Sequence, residues 1–135
     1  MWPWFLALVA ESCGKAGQVE EGLHALREAL EVMQTTEDRI YDAEVYRLKG
    51  ELLLQQSAAH EGEAEACYQQ ALEIARRQQA KSWELRAAMS LARMWLQQGK
   101  RGEARQLLAG VYDWFTEGFD TTDLQEAKAL IEALA

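Results

Sequence analysis

The chain has 135 residues, a formal net charge of −8, 49% apolar and 27% charged side chains, which suits one soluble globular domain able to bury a core. A pI near 4.8, with the basic residues scattered among acidic ones, would repel a phosphate backbone and argues against direct nucleic-acid binding. A single proline against an abundance of Ala, Leu, Glu, Gln and Arg favours helix throughout and leaves no convincing strand.

Seven helices are predicted in chain order. The first spans about 3–14, with Pro3 in the first turn, where its missing N–H is harmless. Its opening residues, Met1 to Ala10, are apolar, but no Lys or Arg precedes them and Glu11 follows, which fits neither a signal peptide nor a membrane span. The second helix spans about 18–35 and buries Val19, Gly22, Leu23, Leu26, Ala29, Leu30 and Met33 on one face. The third spans about 37–56 with Tyr41, Val45, Tyr46, Leu48, Leu52 and Leu53. Gly50 in its middle costs about 1 kcal/mol relative to alanine and implies close packing. The fourth spans about 61–79 and buries Ala64, Cys67, Tyr68, Ala71, Leu72 and Ala75. The fifth spans about 82–98, is apolar on most sides through residues such as Trp83, Leu91 and Trp95, and stops at Gly99. The sixth spans about 102–116. Gly118 and Asp120 follow it, and Thr122-x-x-Gln125 is a capping box for a seventh helix over about 123–134.

Small residues recur at one place in each pair of helices. Ala10, Gly50 and Ala92 mark the first helix of successive pairs, and Gly22, Ala64 and Ala104 the second, giving a period of 40–42 residues. Such a period predicts an all-α helical solenoid in a single domain over 1–135, with repeats at about 3–35, 37–79 and 82–116 and a C-terminal capping helix over 122–134. Its first helix has nothing before it to cover Trp2, Trp4, Phe5 and Leu8, although a terminal repeat normally shows a polar outer face. The chain is therefore expected to be a fragment of a longer array, and those four residues to mediate a two-fold homodimer.

The residues that could carry chemistry are few. His60-Glu-x-x-Ala64 has alanine where a zinc helix needs its second histidine. His60 and Cys67 lie seven residues apart, about 10 Å along a helix, too far to pair. Cys13 and Cys67 are expected to be buried, reduced thiols of a cytoplasmic protein. Gly14-Lys15 and Gly99-Lys100 lack the rest of a phosphate loop. No enzyme activity, metal or cofactor is expected.

In stacked helix pairs the first helix of each pair lines the inner surface. The residues of the third and fifth helices left after core assignment are Glu44, Arg47, Glu51 and Gln55, and Arg86, Met89, Arg93 and Gln97. They form a mixed-charge groove in which Arg47, Arg86 and Arg93 could hold a carboxylate or an acidic peptide. The competing expectation is that these residues pair among themselves, Arg47 with Glu51 for instance, for a few tenths of a kcal/mol.

The Ala/Gly pattern over residues 2–116 resembles tetratricopeptide repeats, which implies a right-handed solenoid of helix pairs. The usual aromatic anchors and terminal proline are mostly missing, the period exceeds the usual 34 residues, and a HEAT-type repeat is the alternative fold. More specifically, Arg47-Leu-Lys-Gly-Glu-Leu-Leu-Leu54, Ala80-Lys-Ser-Trp-Glu-Leu-Arg-Ala-Ala88 and Trp114-Phe-Thr-Glu-Gly-Phe-Asp-Thr121, running into Asp123-Leu-Gln-Glu-Ala-Lys128, resemble the C-terminal region of large bacterial signalling proteins. Those proteins join a class III nucleotide cyclase domain or an ATPase domain to a tetratricopeptide tail. The resemblance implies a noncatalytic module that binds a protein or peptide, or another domain of its parent chain; the acidic charge and the absence of a targeting or membrane pattern leave no nucleic acid and no membrane as expected partner. The alternatives are a structural oligomerisation module without a groove ligand and a small-molecule-sensing repeat domain.

Overall fold

The computed structural model describes residues 17–35, 42–119 and 121–134, together with Glu11 and Lys15. Side chains 32–35 and 58 fall outside that description. The described residues are all-helical: α1 (Val19–Thr35), α2 (Asp42–Gln56), a 3-10 turn (Ala58–His60), α3 (Glu61–Arg77), α4 (Lys81–Gln97), α5 (Arg101–Tyr112) and α6 (Thr122–Leu134). These correspond to the predicted second to seventh helices. The predicted first helix, Tyr41, the Met33 side chain and Cys13 lie outside the described residues.

Each helix packs against the next in the chain, most extensively α2 against α3, and α2 also touches α4 while α4 touches α6. The helical periodicity explains which faces meet. Leu23, Leu26 and Ala29 of α1 join Val45, Leu48, Leu52, Ala64 and Tyr68 in one core, into which Leu91 and Met94 of α4 also reach. A second core gathers Leu72 of α3, Leu85 and Ala88 of α4, Leu108 of α5 and Leu124 and Ala127 of α6. Every predicted core residue of α3 is buried, and Ile74 is buried with them.

Gly50 makes the closest approach between helices. A Cβ built there would lie 2.6 Å from Tyr68 Cε1 and 3.1 Å from the Ala64 carbonyl oxygen. The glycine expected from its mid-helix cost is thus the seat of the Tyr68 ring, which is 1% exposed.

The turns explain the helix ends. At Gly99 (φ +81°) the Gly99 N–H donates to Leu96 O at 3.1 Å and the Lys100 N–H to Trp95 O at 2.8 Å, a Schellman ending that satisfies the last carbonyls of α4. The same two bonds close α3, from Gln79 to Arg76 O and from Ala80 to Ala75 O. There the left-handed residue is Gln79 (φ +56°), the only non-glycine with positive φ among the described residues, at a cost of roughly 1 kcal/mol. A side-chain amide gave no hint of a Schellman turn, so α3 stops two residues before its predicted end.

Two further predicted boundaries need correction. Helix α5 ends at Tyr112 rather than Thr116, because Trp114 and Phe115 donate to Val111 and Tyr112 three residues back in tight turns that leave the α-helical ladder. The cap of α6 is Thr121 rather than Thr122. Its Oγ1 accepts the Leu124 N–H at 3.4 Å, so the third helical position holds a leucine and no reciprocal glutamine bond forms.

Gly50→Ala should lower stability by about 1–2 kcal/mol, since overpacking against Tyr68 outweighs the gain in helix propensity. Gly110→Ala in α5, with nothing near its Cβ position, should instead raise stability by about 0.5–1 kcal/mol. Urea unfolding of the two variants measures both signs.

Candidate functional site

Glu44 and Arg47 lie three residues apart on α2, one turn along the same face. Glu44 is 1% exposed and Arg47 9%. Arg47 Nε donates to Glu44 Oε2 at 3.0 Å and its terminal nitrogen to Oε1 at 2.6 Å, the two-pronged geometry that a planar guanidinium offers a carboxylate. Arg86 of α4 reaches the same Oε1 at 2.6 Å. One buried carboxylate therefore holds two guanidiniums from two helices. Burial by itself would lower the pKa of Arg47, but the hydrogen bonds and charge of Glu44, with Glu51 adding to them, hold it above its ordinary value.

Weaker contacts extend from this centre. Ser90 Oγ donates to Glu51 Oε1 at 2.6 Å, and Arg47 reaches both Ser90 and Glu51 at 3.5 Å, the outer limit of a useful bond. The expected Arg47–Glu51 pairing is thus secondary to Arg47–Glu44. From α6, Asp123 lies 3.8 Å from Arg86 Nε and Glu126 lies 3.5 Å from Arg93. The latter pair is half exposed on both sides and stabilises little.

Above Glu44 the three helices form two adjoining clefts. One, of about 300 Å³, is walled by Arg47, Glu51, Arg86, Arg93, Asp123 and Glu126, with Met89 in its lining. The other, of about 390 Å³, adds Gln55, Ser90 and Gln97 and shares Glu51 and Arg93. Seven of the eight predicted groove residues therefore share one continuous face. The eighth, Glu44, lies beneath it and holds two of its arginines. Met89 is 3% exposed, and of the predicted residues on this face Gln55, Arg93 and Gln97 are exposed.

Asp123, Glu126 and Ser90 were not among the predicted contacts, nor were Glu11 and Lys15, which also line the first cleft and pair with each other at 3.2 Å. The signal for the α6 pair lay in helix order. The third, fifth and seventh predicted helices alternate in the chain, and treating the seventh as a cap hid its acidic face.

The other singled-out residues are placed apart from this face. His24 is exposed beside Glu28 at 2.8 Å, and His60 Nδ1 lies 3.7 Å from Glu63. Among the described residues no group of His, Cys, Asp or Glu is arranged to hold a metal. Cys67 is a buried free thiol, its pKa raised by burial. Trp95, read from the sequence as core, is half-buried and donates its indole N–H to Glu65 at 2.9 Å. No described helix is long and apolar enough to cross a membrane. The proposed self-association residues Trp2, Trp4, Phe5 and Leu8 lie outside the described residues.

The chain matches no known protein family, no curated protein and no solved structure.

Glu44→Ala should destabilise the fold by about 3–5 kcal/mol, because Arg47 stays buried without its counter-charge. Glu51→Ala, at a partly solvated carboxylate, should cost under about 1 kcal/mol. Chemical denaturation at moderate salt compares the two. Equal losses would show that Glu44 has no special place.

Alkaline pH should weaken the fold through Tyr68, whose phenol burial pushes far above its ordinary value of 10.0. Below that pH both folded and unfolded phenols are neutral and the contribution is intact. Above it the unfolded chain ionises while the folded chain resists, so stability falls as pH rises. Tyr68→Phe should flatten that decline in unfolding curves taken between about pH 8 and pH 11, leaving the smaller contribution of Cys67, whose raised thiol acts in the same direction.

Proposed function

We propose that the chain is a noncatalytic, tetratricopeptide-like right-handed solenoid whose inner face binds a protein or peptide, or another domain of its parent chain, in a bacterial signalling protein. The observation that carries this is the side-by-side placement of α2, α4 and α6, whose polar residues meet in one mixed-charge face over the buried Glu44. Alternating helices in contact are what stacked helix pairs produce, and the core positions Gly50 and Ala92, 42 residues apart, keep the repeat register. The regulatory role rests on the resemblance to cyclase-linked and ATPase-linked repeat tails. Rim charges of both signs suit selection of a partner by charge pattern more than by bulk apolar area.

The test must avoid the buried pair. Arg86→Glu would set a carboxylate against Glu44 and confound binding with folding. Arg93→Glu combined with Gln97→Glu alters exposed positions only. Random twelve-residue peptides selected by display on the full chain should include ligands that lose about tenfold or more in affinity for this double variant and weaken with added salt. If every selected peptide binds wild type and double variant alike, the groove is not the binding surface.

A further inference from the structure

A second surface adjoins the groove and shares only Asp123 with its lining. Among the described residues the exposed large hydrophobic side chains are Trp114, 58% exposed, and Phe119, 46%. Both fall between α5 and α6. Trp114 stands edge-on to Phe115 with ring centroids 5.3 Å apart, and Phe119 tilts against Tyr112 at 5.8 Å. This segment is braced by its own aromatic contacts.

Trp114 forms a wall shared by two hollows of opposite character. One, of about 400 Å³, has Leu85, Phe115 and Leu124 in its lining. The other, of about 440 Å³, is bounded by Arg76, Gln79 and Lys81. Lys81 Nζ stands 5.2 Å from the Trp114 ring centroid, a cation–π distance. Arg76 Nε and Lys81 Nζ each lie 3.1 Å from the carboxylate of Glu84, which is 7% exposed. Two cations on one buried carboxylate leave a net positive charge at the hollow bounded by Arg76 and Lys81. A guanidinium has five N–H donors and an ammonium three, so both cations keep donors after Glu84 is satisfied.

We propose that this corner docks an acidic peptide carrying a large apolar residue next to its carboxylates. The apolar residue enters the hollow between Trp114 and Leu124, and the carboxylates meet Arg76 and Lys81 across the indole. Charge complementarity selects this occupant: a basic peptide is repelled by Arg76 and Lys81. Glu117 and Asp123 line the apolar hollow, so the direction of the peptide is set, with its acidic residues toward α3. An exposed tryptophan flanked by cations is the composition that binding anchors favour. The proposal does not depend on the groove, since Trp114, Arg76 and Lys81 do not line it.

The probes are fluorescein-labelled acetyl-Glu-Glu-Leu-Phe-Glu-Glu-amide, the same peptide with lysine in place of glutamate, and one with serine in place of Leu-Phe. Fluorescence anisotropy on the full chain should show saturable binding of the first peptide, with the two controls at least about tenfold weaker. Trp114→Ala, an exposed position whose folding is checked by circular dichroism, should weaken the first peptide about tenfold, and Lys81→Gln severalfold. Arg93→Glu should leave it unchanged. Equal binding of the lysine peptide, undiminished binding to Trp114→Ala, or a loss confined to Arg93→Glu would each overturn the proposal. So would light scattering that showed a dimer abolished by Trp114→Ala, because a second copy would then cover the corner.

Discussion

The carboxylate of Glu44 governs how the helices of this protein sit. A charged group with 1% exposure persists in a protein interior only with its counter-charges in place. Arg47 supplies one from the same helix and Arg86 the other from α4. The distance between α2 and α4 is thereby set by a hydrogen-bonded triad rather than by apolar contact alone. Arg86 also lies 3.8 Å from Asp123 at the start of α6, a weaker contact that adds to the apolar packing of that helix. The mixed-charge face above it is the solvent side of this one arrangement, with Gln55, Arg93 and Gln97 exposed on it.

Small residues allow that geometry. Ala64, Ala92 and Ala104 are fully buried, and Gly50 seats Tyr68 at a distance no Cβ would permit. Close helices bring the short arms of Glu44 and Ser90 within reach of their partners. The same proximity keeps water from the Tyr68 phenol, which lines the second cleft and yet resists ionisation.

Much of the helical layout was legible in the sequence, because apolar spacing reports directly on which face of a helix is buried. The α3 stripe from Ala64 to Ala75 and the glycine turn after α4 are examples. The groove residues were legible too, since helical spacing and what remains after core assignment select a face. Their depth was not. Glu44 and Arg93 look alike in a helical projection, and only the arrival of Arg86 from another helix separates a buried charge from a solvated one. Gln79 in a left-handed turn and the early end of α5 were hidden for a different reason. Both helices, α3 and α5, are closed by local backbone bonds at residues that are not glycine, where propensity would have continued the helix.

Glu44 and Arg86 lie 42 residues apart, the spacing that also separates Gly50 from Ala92, and they carry opposite charges. Helices of similar length and apolar pattern can in principle settle into one another's places. Here such a misfit is costly. With α2 in the berth of α4, Glu44 would meet Asp123 where Arg86 now does, carboxylate against carboxylate, while Arg86 would lose its anchor. Opposite charges at these two places thus distinguish α2 from α4 and disfavour their exchange.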